Sequence, residues 1–325
     1  MRKDQKASAR QRAEAIYEER NMKKEHAFQL RQSLILLLTA VIWGAAFVAQ
    51  SVGMDYIGPF TFTAIRFVLG ALVLVPVILL GKHGRGEHSG REARRLAGGA
   101  VLIRGGILCG TALGFASILQ QLGILYTTVG KAGFITALYI VLVPIFGIAA
   151  GRRNSLLIWV CVAVAAAGLY FLCMKEGISS LQKGDMLCIA CAGVFALQIL
   201  LIDHYAGMVD GVMLSEIQFL TAAVIGAVLM VLFERPSWEA VMAAKLPLLY
   251  TGVMSSGVAY TLQIIGQRGL NPTIASLIMS LESPVSVLAG FILLHQAMTG
   301  RELTGCALMA AAIVLAQLKP ESSRG

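Results

Sequence analysis

Charge is what this chain has least of. Of its 325 residues only 14% are Asp, Glu, Lys or Arg, against 57% hydrophobic, and the mean hydropathy is +0.74. Soluble domains carry nearer ~25% charged residues, so one buried core cannot explain the deficit and a water-soluble globular protein is excluded. Catalytic constellations are missing too. The apolar segments hold no HExxH, no paired aspartates and no serine–histidine pair, which argues against an intramembrane enzyme. No Walker A sequence is present, so any transport would draw on gradients rather than on ATP. Cys188 and Cys191 have CxxC spacing but no second pair and no histidine cluster. All six cysteines lie in or at the ends of apolar segments and read as small packing residues. Disulfides, a metal site and a cofactor are not expected.

What is present is apolar length. Ten segments, near 33–53, 58–80, 102–124, 130–150, 156–174, 185–203, 212–233, 246–266, 273–294 and 302–318, each approach the ~20 residues a helix needs to cross a bilayer. The expected fold is an all-α polytopic membrane protein, with short connections making neighbouring helices antiparallel. If the N-terminus is cytoplasmic, 20 of the 27 Lys and Arg lie on that side and 6 on the other, with Arg66 inside a span. That asymmetry predicts both termini inside, in the cell (plasma) membrane. It also makes the bilayer, not nucleic acid, the partner of the +9 charge. Residues 1–32 read as a charged cytoplasmic tail without the apolar core of a cleaved secretory signal. Glu19 and Lys23 at i, i+4 beside Ala13, Ile16 and Tyr17 point to a short membrane-surface helix, with a disordered tail as the other reading. Residues 319–325 form a second tail.

The chain is also duplicated. Shifting by 143 lays residues 114–135 on 257–278 and matches Gly114 with Gly257, Gln120 with Gln263, Gly123 with Gly266 and Ala132 with Ala275. A shift of 152 aligns Ile65-Arg66-Phe67 with Ile217-Gln218-Phe219 and Trp43 with Phe195. The repeats are 33–174 and 185–318, five segments each. An odd number of spans forces the two copies into opposite orientations, the inverted-repeat plan of many secondary transporters, with the substrate near midplane between the halves.

Ile42-Trp43-Gly44, Pro59 with Phe62-Thr63-Ala64-Ile65-Arg66-Phe67, and Lys131 to Tyr139 ending at Pro144 carry a family likeness in the first half. Ile217-Gln218-Phe219, and Ala275-Ser276-Leu277-Ile278 running to Leu281-Glu282-Ser283-Pro284, carry it in the second. On these residues the chain resembles the drug/metabolite transporter superfamily, in its EamA branch, over roughly 33–318. It reads Glu-Ser-Pro where that family usually has Glu-Pro, and His295-Gln296 where glycine-glutamate is common. The resemblance implies ten helices around a central cavity and export or exchange of small metabolites such as amino acids. Xenobiotic or lipid-like cargo is the second reading, and a receptor or assembly protein using the tail is the non-transport one. Oligomeric state is open.

Several residues could line such a cavity. Ser256, Tyr260, Gln263 and Gln267 fall at i, i+4, i+7 and i+11, one helical face, and Ser276, Ser280 and Ser283 make a second stripe with Glu282 at its edge. Trp43, Phe47 and Gln50 share a face with Thr39, and Gln198 lies near Phe195 and Cys191. Tyr139, Thr136, Ser117 and Gln121 extend the polar lining. A carboxylate at midplane costs at least ~2.5–3.5 kcal/mol unless paired or hydrated. Glu282 is therefore either a substrate-ammonium contact or proton site, or a bonded structural partner. Arg66 faces the same cost and reads first as a structural ion pair or interhelical hydrogen-bond donor. Pro144 and Pro284 each remove a helix hydrogen bond and are candidate gating bends. Asp203-His204 and Arg268 read as solvated loop ends.

Overall fold

The computed structural model describes residues 2–82, 92–127, 129–173, 183–294 and 299–318. Among these, regular structure is entirely helical. Helix α1 spans Arg2–Gly53, α2 Pro59–Lys82, α3 Glu92–Tyr126, α4 Val129–Ala137, α5 Tyr139–Ala149 and α6 Leu156–Cys173. Then come α7 (Lys183–Ala206), α8 (Gly211–Phe233), α9 (Trp238–Ala243), α10 (Lys245–Leu249), a π-helix (Tyr250–Tyr260), α11 (Thr261–Gln267), α12 (Pro272–Met279), α13 (Glu282–Leu294) and α14 (Gly300–Leu318). Seven stretches are long and apolar enough to cross a membrane, and Leu156–Phe171 and Pro272–Leu288 are shorter apolar helices.

Exposure runs opposite to that of a soluble protein. Leu80, Leu156, Val231, Leu232 and Phe233 stand outward, while Gln121, Gln198, Gln218, Gln267 and Arg66 are buried. Apolar surface outside and amides inside is what lipid as solvent selects. The helices begin where caps can serve their unpaired N–H groups. Asp210 accepts from Val212 and Met213 at the start of α8, and Asn271 from Thr273 before Pro272 at the start of α12. Thr299 and Glu302 form a reciprocal capping box on α14. Helix α2 borrows its cap from elsewhere. The Glu234 carboxylate at the end of α8 accepts from Phe60 N (3.0 Å), Thr61 N (2.7 Å) and Thr61 Oγ1 (2.6 Å).

Packing partners recur between the halves. Helix α2 packs on α8 and α6 on α14; α1 lies against α12–α13 as α7 lies against α4–α5; and α2 meets the π-helix as α8 meets α3. Two glycines let helices approach one another's backbone near the core. A Cβ on Gly44 of α1 would stand 2.7 Å from the Glu282 carbonyl, and one on Gly110 of α3 would stand 2.6 Å from the Gln218 carbonyl.

Three expectations need correcting. The tail is neither a separate short helix nor disordered from residue 2 onward: it runs into the first apolar segment as one helix, Arg2–Gly53. The fourth and ninth segments are not continuous helices. They break at Leu138 and at Ser280–Leu281, positions that correspond under the 143-residue shift. At the second break, Pro284 has no N–H for the Ser280 carbonyl, which instead accepts from Ser283 N at 3.1 Å, a tightened turn. Pro144 lies six positions after its break and does not produce it in the same way. The eighth segment is a π-helix over half its length, Tyr250–Tyr260. Side chains of α1 reach its carbonyls: Trp43 Nε1 donates to Ser255 O at 3.3 Å and Thr39 Oγ1 to Ala259 O at 3.5 Å. Donors inserted beside a helix ladder are a known cause of such departures. His295 and Gln296, and residues 319–325, lie outside the described residues.

Candidate functional site

A cavity with about 440 Å³ of space not filled by atoms lies where ten of these elements converge. Helix α1 contributes Trp43, Phe47 and Gln50, α2 Arg66, α3 Gln120, α4 Thr136, and α5 Tyr139. From the second half come Phe195, Gln198 and Ile199 of α7, Ser255 and Tyr260 of the π-helix, Gln263 of α11, Met279 of α12 and Glu282 of α13. Ten of these fifteen residues form repeat-related couples. Trp43 and Phe195, and Phe47 and Ile199, are 152 apart; Gln120 and Gln263, Thr136 and Met279, and Tyr139 and Glu282 are 143 apart.

One of these couples touches, and so does a repeat-related pair beside the lining. The Tyr139 hydroxyl donates to Glu282 Oε1 at 3.1 Å, and both residues start the second piece of a broken helix. Phe67 and Phe219 stack with centroids 6.1 Å apart, and each lies within 6.4 Å of the Tyr260 ring. Tyr260 also packs on Trp43 at 4.7 Å, so one wall is aromatic. Such a wall suits the apolar part of a ligand, with polar groups left to orient it.

Arg66 is 1% exposed. Its Nη1 donates to Gln50 Oε1 (3.1 Å), its Nε to Ser256 Oγ (3.2 Å) and its Nη2 to Ser255 Oγ (3.5 Å); the guanidinium carbon lies 5.0 Å from the Phe67 ring centre. The expectation of interhelical hydrogen bonds holds here. An ion pair does not: among the described residues no carboxylate meets it. Its counterpart Gln218 accepts from Gln198 Nε2 at 3.3 Å, and Gln198 also exchanges hydrogen bonds with Gln263 at 3.4 and 3.2 Å. A second buried amide cluster thus stands where the first half has the cation.

Nine of the thirteen cavity candidates line this space: Trp43, Phe47, Gln50, Thr136, Tyr139, Gln198, Tyr260, Gln263 and Glu282. Four do not. Ser256 is spent on Arg66, because the i→i+5 spacing of the π-helix stacks Ser255, not Ser256, over Tyr260. Ser280 donates to its own Leu277 carbonyl at 2.7 Å, and Ser276 likewise to Thr273. Gln121 turns toward Met54 Sδ, 3.5 Å away, and Ser117 is buried outside the lining. Gln267, the last of the sequence stripe, donates to the Ile199 carbonyl at 3.4 Å. Sequence reading missed Ser255, Gln120, Ile199 and Met279 as lining residues. Gln120 had a signal, since it is the repeat partner of Gln263.

One end of the bundle is held by three links. Gln32 Nε2 donates to the carbonyls of Ile265 (2.7 Å) and Arg268 (2.8 Å). Asn271 and Thr273 both donate to Asn154 Oδ1, and Arg152 pairs with Asp203. Asp203 is therefore not the free solvated end its sequence position suggested.

The sequence pattern of the EamA-like transporter family matches residues 31–174 and again 182–318. A protein of Archaeoglobus fulgidus described as an uncharacterized transporter is 28% identical over 297 residues, 90% of this chain and 87% of that one. A protein known from a crystal structure superposes with a TM-score of 0.72 over 89% of this chain and 96% of its own, at 18% identity, a likeness of fold.

Proposed function

The chain belongs to the EamA-like transporter family, and from that premise we propose that it is a secondary transporter exporting or exchanging small amphipathic metabolites, amino acids or their relatives, by alternating access. The observation that carries this reading is the pairing of repeat-related residues in and beside the cavity. Where two residues related by a repeat touch one another, as Tyr139 with Glu282 and Phe67 with Phe219 do, any two-fold relating the halves must pass close to the contact. The cavity then straddles that axis, with ten spans in two inverted five-helix repeats (33–174 and 185–318) around it, both termini cytoplasmic and the plasma membrane as its location. A site on such an axis is reached equally from either side when the halves exchange shapes.

The chemistry of the lining supports the cargo class. Trp43, Phe47, Phe195 and Tyr260 receive an apolar body, and Glu282, whose carboxylate accepts from one hydroxyl, meets an ammonium group. In the exchange, the three links among Gln32, Arg152, Asp203, Asn154 and Asn271 open while the ends near Leu138 and Ser280, with Pro144 and Pro284 beyond them, flex. Counterflow in proteoliposomes preloaded with amino acids and related metabolites tests the reading. Exchange of a subset that empty liposomes lack is the expected result; folded protein that exchanges none of them removes this cargo class.

A further inference from the structure

Among the described residues that line the cavity, Arg66 is the only Lys, Arg or His. We propose that it anchors the anionic group of the transported molecule, so that the substrate carries a carboxylate. The inference rests on the transport reading above and adds a recognition element to it. Four observations carry it. The guanidinium is buried, and a guanidinium does not lose its proton in a protein. Its partners Gln50, Ser255, Ser256 and Tyr260 are all neutral, so they orient the charge without answering it. The bonds to these partners leave a guanidinium N–H still to be met, a charge-assisted donor suited to a carboxylate oxygen. The matching position in the other half holds Gln218, whose oxygen accepts an interhelical hydrogen bond without any charge. A tie between helices alone would therefore not require arginine.

Glu282, the acidic residue of the same lining, belongs to the opposite half and accepts from Tyr139. Tyr260 stands beside both charged groups. A ligand with a carboxylate toward Arg66, an ammonium toward Glu282 and an apolar side group toward the rings fits all three walls: a zwitterionic amino acid with an apolar side chain.

The test uses matched compounds on the full-length wild-type protein in detergent, read as ligand-induced thermal stabilisation. For leucine, methionine and phenylalanine, each amino acid is compared with its amide, which lacks the carboxylate, and with its des-amino acid, which lacks the ammonium. The parent acids are expected to bind, the des-amino acids more weakly, and the amides at least about tenfold more weakly than their parents. An amide that binds as tightly as its parent overturns the proposal, and so does a panel in which no carboxylate-bearing compound binds. Arg66→Lys, which keeps the charge but not the fork, should lower affinity for the acids about tenfold and leave the amides unchanged. If it instead lowers the melting temperature and leaves the acid-to-amide ratio as in wild type, the residue is a structural tie only. Counterflow of the same compounds separates the two readings. Binding without exchange removes transport and keeps the anchor; exchange without preference for the acid removes the anchor and keeps transport.

Discussion

The two broken helices, α4–α5 and α12–α13, occupy corresponding places in the repeats and break at corresponding residues, yet one delivers a phenol to the cavity and the other a carboxylate. The same holds one layer away, where Arg66 of α2 corresponds to Gln218 of α8. Duplication accounts for where these side chains stand, and divergence accounts for what they carry. A symmetric scaffold with one cation and one acid drawn from different halves has a direction built into its chemistry. A molecule with two unlike ends binds such a cavity one way round.

Substitutions that erase these differences measure how much of the activity the asymmetry carries. Arg66→Gln copies the second half onto the first, and should reduce exchange of the best substrate on the order of 100-fold, about 2.7 kcal/mol, in proteoliposome counterflow. Glu282→Gln keeps the shape and a hydrogen-bond acceptor for Tyr139 while removing the charge. About 30-fold lower exchange of cationic or zwitterionic compounds is expected, with compounds lacking an ammonium group affected less. Gly44→Val leaves the charges alone and instead pushes α1 off the Glu282 backbone. It should destabilise the fold by about 1–3 kcal/mol, visible as a lower melting temperature. Tyr139→Phe removes a single hydroxyl from the contact across the halves and should cost about 1 kcal/mol, read as a several-fold change in exchange at unchanged expression. The smallest effect is expected from Asp203→Asn. Its partner Arg152 is 41% exposed, so the pair contributes at most about 1 kcal/mol to stability, and a change in exchange rate larger than the change in stability would mark it as part of a gate.

Much of this was legible in the chain itself. Apolar length located the seven stretches long enough to cross a membrane and the shorter apolar helices Leu156–Phe171 and Pro272–Leu288, and the 143-residue shift identified the register that brings Tyr139 and Glu282 into correspondence. The cost of burying ionisable groups singled out Glu282 and Arg66 before any geometry was known. Local detail was not legible, because periodicity reads a helix as if its hydrogen-bond register were uniform. The π-helix depends on what packs against it. A Cβ on Gly252 would stand 2.6 Å from Leu69, one on Gly70 would stand 2.8 Å from Ser256, and the donors of Thr39 and Trp43 come from a helix more than 200 residues away. None of that leaves a mark on the spacing of Ser256, Tyr260 and Gln263, and so the stripe was drawn through Ser256 where Ser255 was correct. The breaks at Leu138 and Ser280 were hidden for a related reason: the nearest following prolines lie six and four residues further on, respectively. Arg66 was read first as a structural ion pair or interhelical donor; its bonds to Gln50, Ser255 and Ser256 fit the second, and which of the two applies could not be told from the sequence because a sequence shows a charge and not what meets it.

The stretch Tyr250–Tyr260 has one more property. A π turn is a surplus residue stored in a helix, and moving that surplus along by one position turns the intervening residue through about 100° while both ends of the helix stay put. Ser255 and Ser256 are neighbours in that stretch; both accept from the guanidinium of α2, and of the two it is Ser255 that lines the cavity. The helix is in effect a vernier: two adjacent hydroxyls are graduations on the same scale, and a small slip between α2 and the eighth segment changes which of them is read.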